Sequence, residues 1–216
     1  MFDTLMYQNP FLSDMKQITI IDYGLGNLRS VQKGLEHAKA SVNISIDPAD
    51  IENSDGVVLP GVGAFSDAMS NIKPFLDVLY GYVESGKPLL GICLGHQMLM
   101  TNSEEGGMRD GLGFIPGNVI RFPHSKLKVP HMGWNSINIT QQHPIYEGIE
   151  DGSYVYFVHS YYVSTDDDHA LASCEYGVEF AASVVNEEGN VIGTQFHPEK
   201  SGEVGLRILS NFVKMC

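Results

Sequence analysis

The chain has 216 residues, of which 43% are apolar and 18% charged, and it carries a formal charge of −13 at pH 7. That is enough for one sizeable domain, and the charge argues against nucleic acid as a partner, because neutralising phosphates takes clustered Lys and Arg. Apolar stretches fall far short of a membrane span, and Cys93, Cys174 and Cys216 suggest no disulfide framework, so no membrane partner and a reducing cytoplasm are expected.

Residues 1–14 show neither helix nor strand period and lack the basic start and apolar run of a secretory signal. They are read as an extension outside the fold, with one domain expected over 15–216. Gln17 to Asp22 is the first predicted strand, and Asn27 is placed to cap a helix that buries Leu28, Val31, Leu35 and Ala38. Strands follow at Val42 to Ile46 and Gly56 to Leu59, then a helix capped by Ser66 and another from Phe75 to Val83. Pro88 to Ile92 reads as a buried strand and Leu94 to Met100 as a helix. This order predicts an α/β fold with a central, mostly parallel sheet flanked by helices. Ligands in such folds gather at the carboxyl ends of the strands, here the loops at 23–27, 60–65 and 91–97.

The second half is richer in short strands, expected to add antiparallel pairs: Asn118 to Phe122, Ser136 to Thr140, Tyr154 to His159, Tyr161 to Ser164, Leu171 to Cys174, Val178 to Val185 and Val191 to Phe196. Glu188-Gly189-Asn190 marks a hairpin. Gly205 to Lys214 is a closing helix with Leu206, Leu209 and Phe212 inward.

The chemistry concentrates in two segments. Cys93 lies in Gly-Ile-Cys-Leu-Gly between a predicted strand and helix, the pattern of a nucleophile elbow. Gly91 and Gly95 remove the side chains that would crowd such a turn. The following helix presents unpaired N–H groups to the sulfur, an environment that favours a thiolate. About a hundred residues later comes Phe-His-Pro-Glu. Pro198 disfavours helix at His197, so the segment is expected to be extended, with His197 and Glu199 on one side. Cys93, His197 and Glu199 then form a nucleophile, a base and a group that orients the base. A dinucleotide site at Gly24-Leu25-Gly26 is rejected because Arg29 stands where the fingerprint needs a small residue. Cys93 and His96 lack a second pair with ligand spacing, so no metal or other cofactor is expected.

Pro60-Gly61-Val62-Gly63, Gly91 to Gln97 and Gln195 to Ser201, in this order, resemble the class I glutamine amidotransferases over nearly the whole chain from Lys16. The resemblance implies that Cys93 attacks the side-chain amide of L-glutamine, that His197 moves the protons and that Glu199 orients His197. It implies an oxyanion hole from Leu94 and the Gly61–Val62 segment, with the Gly61–Val62 peptide expected to act as a switch. Substrate contacts are implied for Gln97, Ser160 and Tyr161. Ile21 to Leu28, Val129 to Asn135 and Tyr156 to Tyr161 further resemble the glutaminase subunits of imidazole glycerol phosphate synthases. Those subunits pair with a (β/α)8-barrel cyclase that consumes the ammonia, which implies an interface at Asn27, Trp134, Asn135, Tyr156 and Lys200. His96 stands where that subfamily usually has methionine. A paralogous subunit supplying ammonia in surface-sugar synthesis, and a non-catalytic scaffold that kept the fold, are the alternatives. His131 and His159 have no carboxylate paired with them in sequence and are assigned structural or interface roles.

Overall fold

A computed structural model describes residues 15–123 and 127–216; the expected extension at 1–14 lies outside the described residues. The elements are β1 (Gln17–Ile21), α1 (Leu28–His37), β2 (Ser41–Ser45), α2 (Pro48–Glu52), β3 (Gly56–Gly61), α3 (Phe65–Asn71), α4 (Leu76–Glu84), β4 (Leu89–Cys93) and α5 (Leu94–Met98). The second half adds β5 (Met100–Ser103), β6 (Arg109–Asp110), β7 (Ile115–Arg121), β8 (His131–Ser136), β9 (Asn138–Ile139), β10 (Tyr154–His159), β11 (Tyr161–Ser164), β12 (Ala170–Glu175), β13 (Glu179–Val185), β14 (Val191–Thr194) and α6 (Gly202–Met215).

Twelve strands form one mixed sheet whose main path runs β2-β1-β3-β4-β14-β13-β11-β7-β5-β6, with β12 joining β13 to β9. The first five strands on that path are parallel. The turn at Gly189 makes β13 and β14 an antiparallel hairpin. β8 and β10 form a separate antiparallel pair. Their separation corrects the expected strand at Ser136 to Thr140: Ile137 turns into the core and divides that segment between β8 and β9.

Alternation along the parallel strands sets the two cores. Val58, Leu90 and Ile192 face α1 and α6, whereas Val57, Leu59, Leu89 and Val191 face the layer of α2 to α5. Ile208 replaces the expected Leu206 on the inner face of α6. Two caps differ from expectation. The Asn27 side chain makes no capping bond to α1, and Ala64, not Ser66, precedes α3, whose first N–H is taken by the Glu105 carboxylate at 3.0 Å. α5 has only five residues, because the chain leaves the helix at Leu99 to enter β5, so the helix end facing Cys93 is weaker than expected.

Candidate active site

Cys93 closes β4 and precedes α5 with φ 55° and ψ −102°, a conformation outside the regions open to a residue with a Cβ. The glycines around it are required by contact. A Cβ on Gly95 would strike the Leu59 carbonyl, and one on Gly91 would come within 2.8 Å of the Gly95 carbonyl group. The turn lifts the sulfur to the carboxyl edge of the sheet, where Gly61 of β3 is its register partner.

His197 follows β14 and enters the same edge in an extended conformation (φ −96°, ψ 99°). Pro198–Lys200 is a 3-10 turn, not the extended segment expected, because the chain bends at once into α6. The turn still returns the carboxylate: His197 Nδ1 lies 2.8 Å from Glu199 Oε1, with side-chain exposures of 2% and 0%. A carboxylate accepts, so Nδ1 carries a proton and Nε2 is the nitrogen that can exchange one with the Cys93 sulfur. Nε2 lies outside strict hydrogen-bond geometry to Cys93 yet within its electrostatic reach. Burial alone would lower the imidazole pKa. The nearby Cys93 sulfur and the hydrogen bond to Glu199, together with their negative charge, outweigh that and raise it to about 9. A closed ring of bonds fixes the His197 backbone: His197 N–H donates to Tyr156 O at 2.9 Å, Ser201 Oγ donates to His197 O at 2.6 Å, and Tyr156 N–H donates to Ser201 Oγ at 3.0 Å.

Cys93 and His197 open into a cavity of about 330 Å³ that Val62, Gly63, Leu94, Gln97, Glu105, His159, Ser160 and Tyr161 also line. A larger hollow of about 470 Å³ beside Thr140, Ser164 and Glu179 contains neither a thiol nor an imidazole, so the smaller one is the candidate for the chemistry. A thiol, an imidazole and an orienting carboxylate in a confined cavity can form and hydrolyse an acyl-sulfur bond.

The expected residues are distributed as follows. Val62, Leu94, Gln97, Ser160 and Tyr161 line the cavity, and Gly61 lies beside Cys93. Trp134 is 55% exposed and meets the Tyr156 ring edge-on at 6.1 Å, with Lys200 Nζ 5.9 Å from that ring on the same surface. Asn135 donates its amide to Glu175 O at 3.0 Å, and Asn27 directly precedes α1.

Sequence reasoning does not single out four further residues at this edge. Glu105 is the only carboxylate lining the cavity among the described residues. Buried Gln195 points Nε2 at the Cys93 sulfur, 3.9 Å away, while its Oε1 accepts from Gln97 Nε2 at 3.1 Å. The Tyr23 hydroxyl, buried behind the cavity, donates to the Pro60 carbonyl at the root of the Gly61–Val62 segment. Ser201 closes the ring around His197. Gln195 and Ser201 flank the His-Pro-Glu motif, and that proximity is their signal; Glu105 and Tyr23 act across 40 and 37 residues and have none.

The family model described as glutamine amidotransferase class-I matches residues 19–216. The protein named imidazole glycerol phosphate synthase subunit HisH of Methanosarcina mazei is 65% identical over 202 residues, covering 94% of this chain and 100% of the relative. Proteins of the same name from Natronomonas pharaonis and Archaeoglobus fulgidus are 58% and 51% identical, covering 93% and 92% of this chain and 95% and 98% of theirs. Among solved structures, PurLQS from Thermotoga maritima superposes with a TM-score of 0.72 at 22% identity, covering 93% of this chain and 99% of that one. A crystal structure of a glutamine amidotransferase gives 0.71 at 17% identity, covering 92% of this chain and 97% of that one. At such identities the two structures speak to the fold alone.

Proposed function

Because the chain belongs to the class I glutamine amidotransferase family, we propose that it is a glutaminase subunit that hydrolyses L-glutamine and passes the ammonia to a cyclase subunit making imidazole glycerol phosphate in histidine biosynthesis. The observation that carries the reading is the buried His197–Glu199 pair, with His197 beside Cys93 on the wall of a cavity on the scale of an amino acid. Cys93 sulfur adds to the side-chain carboxamide, and the oxyanion that forms is received by the Leu94 N–H and the Gly61–Val62 peptide. His197 protonates the departing nitrogen, which leaves as ammonia, and a glutamyl thioester remains on Cys93. His197 then takes a proton from water, whose oxygen displaces the sulfur and releases glutamate. Glu199 keeps the imidazole in the tautomer that both steps need.

The substrate's α-ammonium group suits the Glu105 carboxylate, and its backbone lies along Ser160 and Tyr161. Gln97 spends Nε2 on Tyr161 O and Gln195, which leaves its oxygen for the ligand.

The partner is a (β/α)8-barrel cyclase forming a heterodimer through the Trp134, Tyr156 and Lys200 surface, with Asn27 and Asn135 at its border. Exposed aromatic anchors suit such a contact. A shielded route to the partner keeps ammonia unprotonated and nucleophilic. The coupled pair acts as a lyase in the cytoplasm, the compartment that suits three free cysteines. No helix of the described residues is long and apolar enough to cross a membrane. The test is glutamate release by the chain with its cyclase: Cys93→Ser is expected to abolish it, and undiminished release by that variant would refute the reading.

A further inference from the structure

The Tyr161 carbonyl oxygen sits where the chain crosses from the two-stranded sheet to the large one, with Ser160 as the single residue between β10 and β11. The corner's backbone is laddered to β7, where Phe122 N–H donates to Ser160 O at 3.2 Å and Tyr161 lies opposite Arg121. The Tyr161 oxygen itself is met by side chains: Gln97 Nε2 at 2.9 Å and His159 Nδ1 at 2.8 Å.

A carbonyl can only accept, so His159 must carry a proton on Nδ1. The ring is buried, and burial, the larger influence, pushes its pKa down to about 3, so it is neutral and Nε2 is an acceptor. His131 Nδ1 lies 2.9 Å from that Nε2 and must donate to it. His131 Nε2 is then an acceptor, and it faces Asn135 Nδ2 at 3.4 Å. The far end reaches the same orientation independently: Asn135 Nδ2 donates to Glu175 O at 3.0 Å, while its Oδ1 accepts from Ser136 N–H at 2.9 Å. Backbone groups thus orient the relay from both ends. The rings also exclude water. His131 stacks between Phe157 and Tyr176, with centroids 4.8 and 3.9 Å away, and Phe122 lies 5.1 Å from His159.

We propose that His159, held in one tautomer by His131 and Asn135, is a positioning residue that fixes the Tyr161 carbonyl and so the wall on which the substrate lies. The proposal deepens the glutaminase reading and rests on it for the kinetic arm of its test. Its signature is a loss of substrate affinity without a loss of thiol chemistry.

The experiment compares His159→Leu with His159→Asn in the full chain bound to its cyclase. Asn places an amide nitrogen near the Nδ1 position but is smaller; Leu fills the volume but cannot donate. His159→Leu is expected to raise the KM for glutamine about tenfold, with kcat and the rate of Cys93 alkylation by iodoacetamide within about threefold of wild type. His159→Asn is expected to stay within about threefold of the wild-type KM. The reverse ranking, with Leu the milder change, would mean that the ring only packs and would overturn the proposal. Should His159→Leu fail to fold, His131→Phe, which keeps the stacking but frees the His159 tautomer, is expected to raise KM at least about threefold; a wild-type KM overturns the proposal. Nitrogen NMR of the full chain supplies an arm independent of turnover. His159 is expected as the Nδ1–H tautomer, and an Nε2–H ring refutes the proposal even if turnover is normal. A wild-type complex that releases no glutamate refutes the glutaminase reading instead, and the NMR result then judges the relay by itself.

Discussion

Cys93 holds a backbone conformation that a side chain disfavours, and a residue in such a region carries of order 1–3 kcal/mol of strain. The usual ranking of small residues should therefore invert there. Cys93→Gly is expected to be about 1 kcal/mol more stable than Cys93→Ala by chemical denaturation, with neither variant turning over glutamine. Equal stability, or a more stable Ala variant, would show that the turn is unstrained. The Tyr23 hydroxyl secures the Pro60 carbonyl beneath the proposed oxyanion segment. Tyr23→Phe leaves that carbonyl without its donor, so a stability loss of about 1–2 kcal/mol is expected, with kcat reduced and KM little changed. The motif glycines, Cys93, His197 and Glu199 are legible in the sequence because their chemistry depends on neighbours within a few positions. Glu105 and Tyr23 are not, since nothing local distinguishes a carboxylate that crosses to α3 or a tyrosine that crosses to β3 from any other.

Elements differ in how much of their form is local. The parallel strands are legible because both faces are buried and the apolar runs are nearly continuous, as at Gly56–Gly61 and Leu89–Cys93. The length of α5 is not, because its end is set by pairing of β5 with β7, a contact distant in sequence. The start of α3 depends likewise on Glu105. The β3–α3 loop is the element on which coupling to a partner is expected to act, with Gly63 at φ 105° allowing its peptides to turn. Glutamate release is expected to rise at least about tenfold when the cyclase is added, in line with an oxyanion donor becoming correctly aimed. Equal turnover with and without cyclase would count against the Gly61–Val62 peptide as a switch.

For the whole molecule, buried histidines set the pH range of stability. Burial pushes His96 and His159 down to about 3 and His131 to about 4 from an ordinary 6.5. Below pH 6.5 the unfolded chain takes up these protons and the native chain does not. Each ring therefore removes stability as pH falls from about 6.5 toward 4, at about 1.4 kcal/mol per pH unit. His197 acts in the opposite direction. Its native pKa of about 9 makes its contribution complete below 6.5 and lost as pH rises through 9. Urea denaturation across this range should show a stability maximum near neutrality. His96 tests the acid limb, because it is fully buried and neither ring nitrogen makes a well-formed hydrogen bond. His96→Met is expected to raise stability at pH 7 by about 1–2 kcal/mol and to flatten the acid limb by one proton. An unchanged acid slope would show that His96 does not titrate as described.

The proposed catalysis depends on one of the chain's sulfurs becoming covalently bonded to the substrate. Acid-quenched mixtures of the chain, its cyclase and glutamine, digested and read by mass spectrometry, test this directly. A glutamyl thioester confined to the peptide bearing Cys93, formed before glutamate accumulates and absent from Cys93→Ser, is the expected result. Steady glutamate production with no adduct on that peptide at any time, matched by the serine variant, would contradict it.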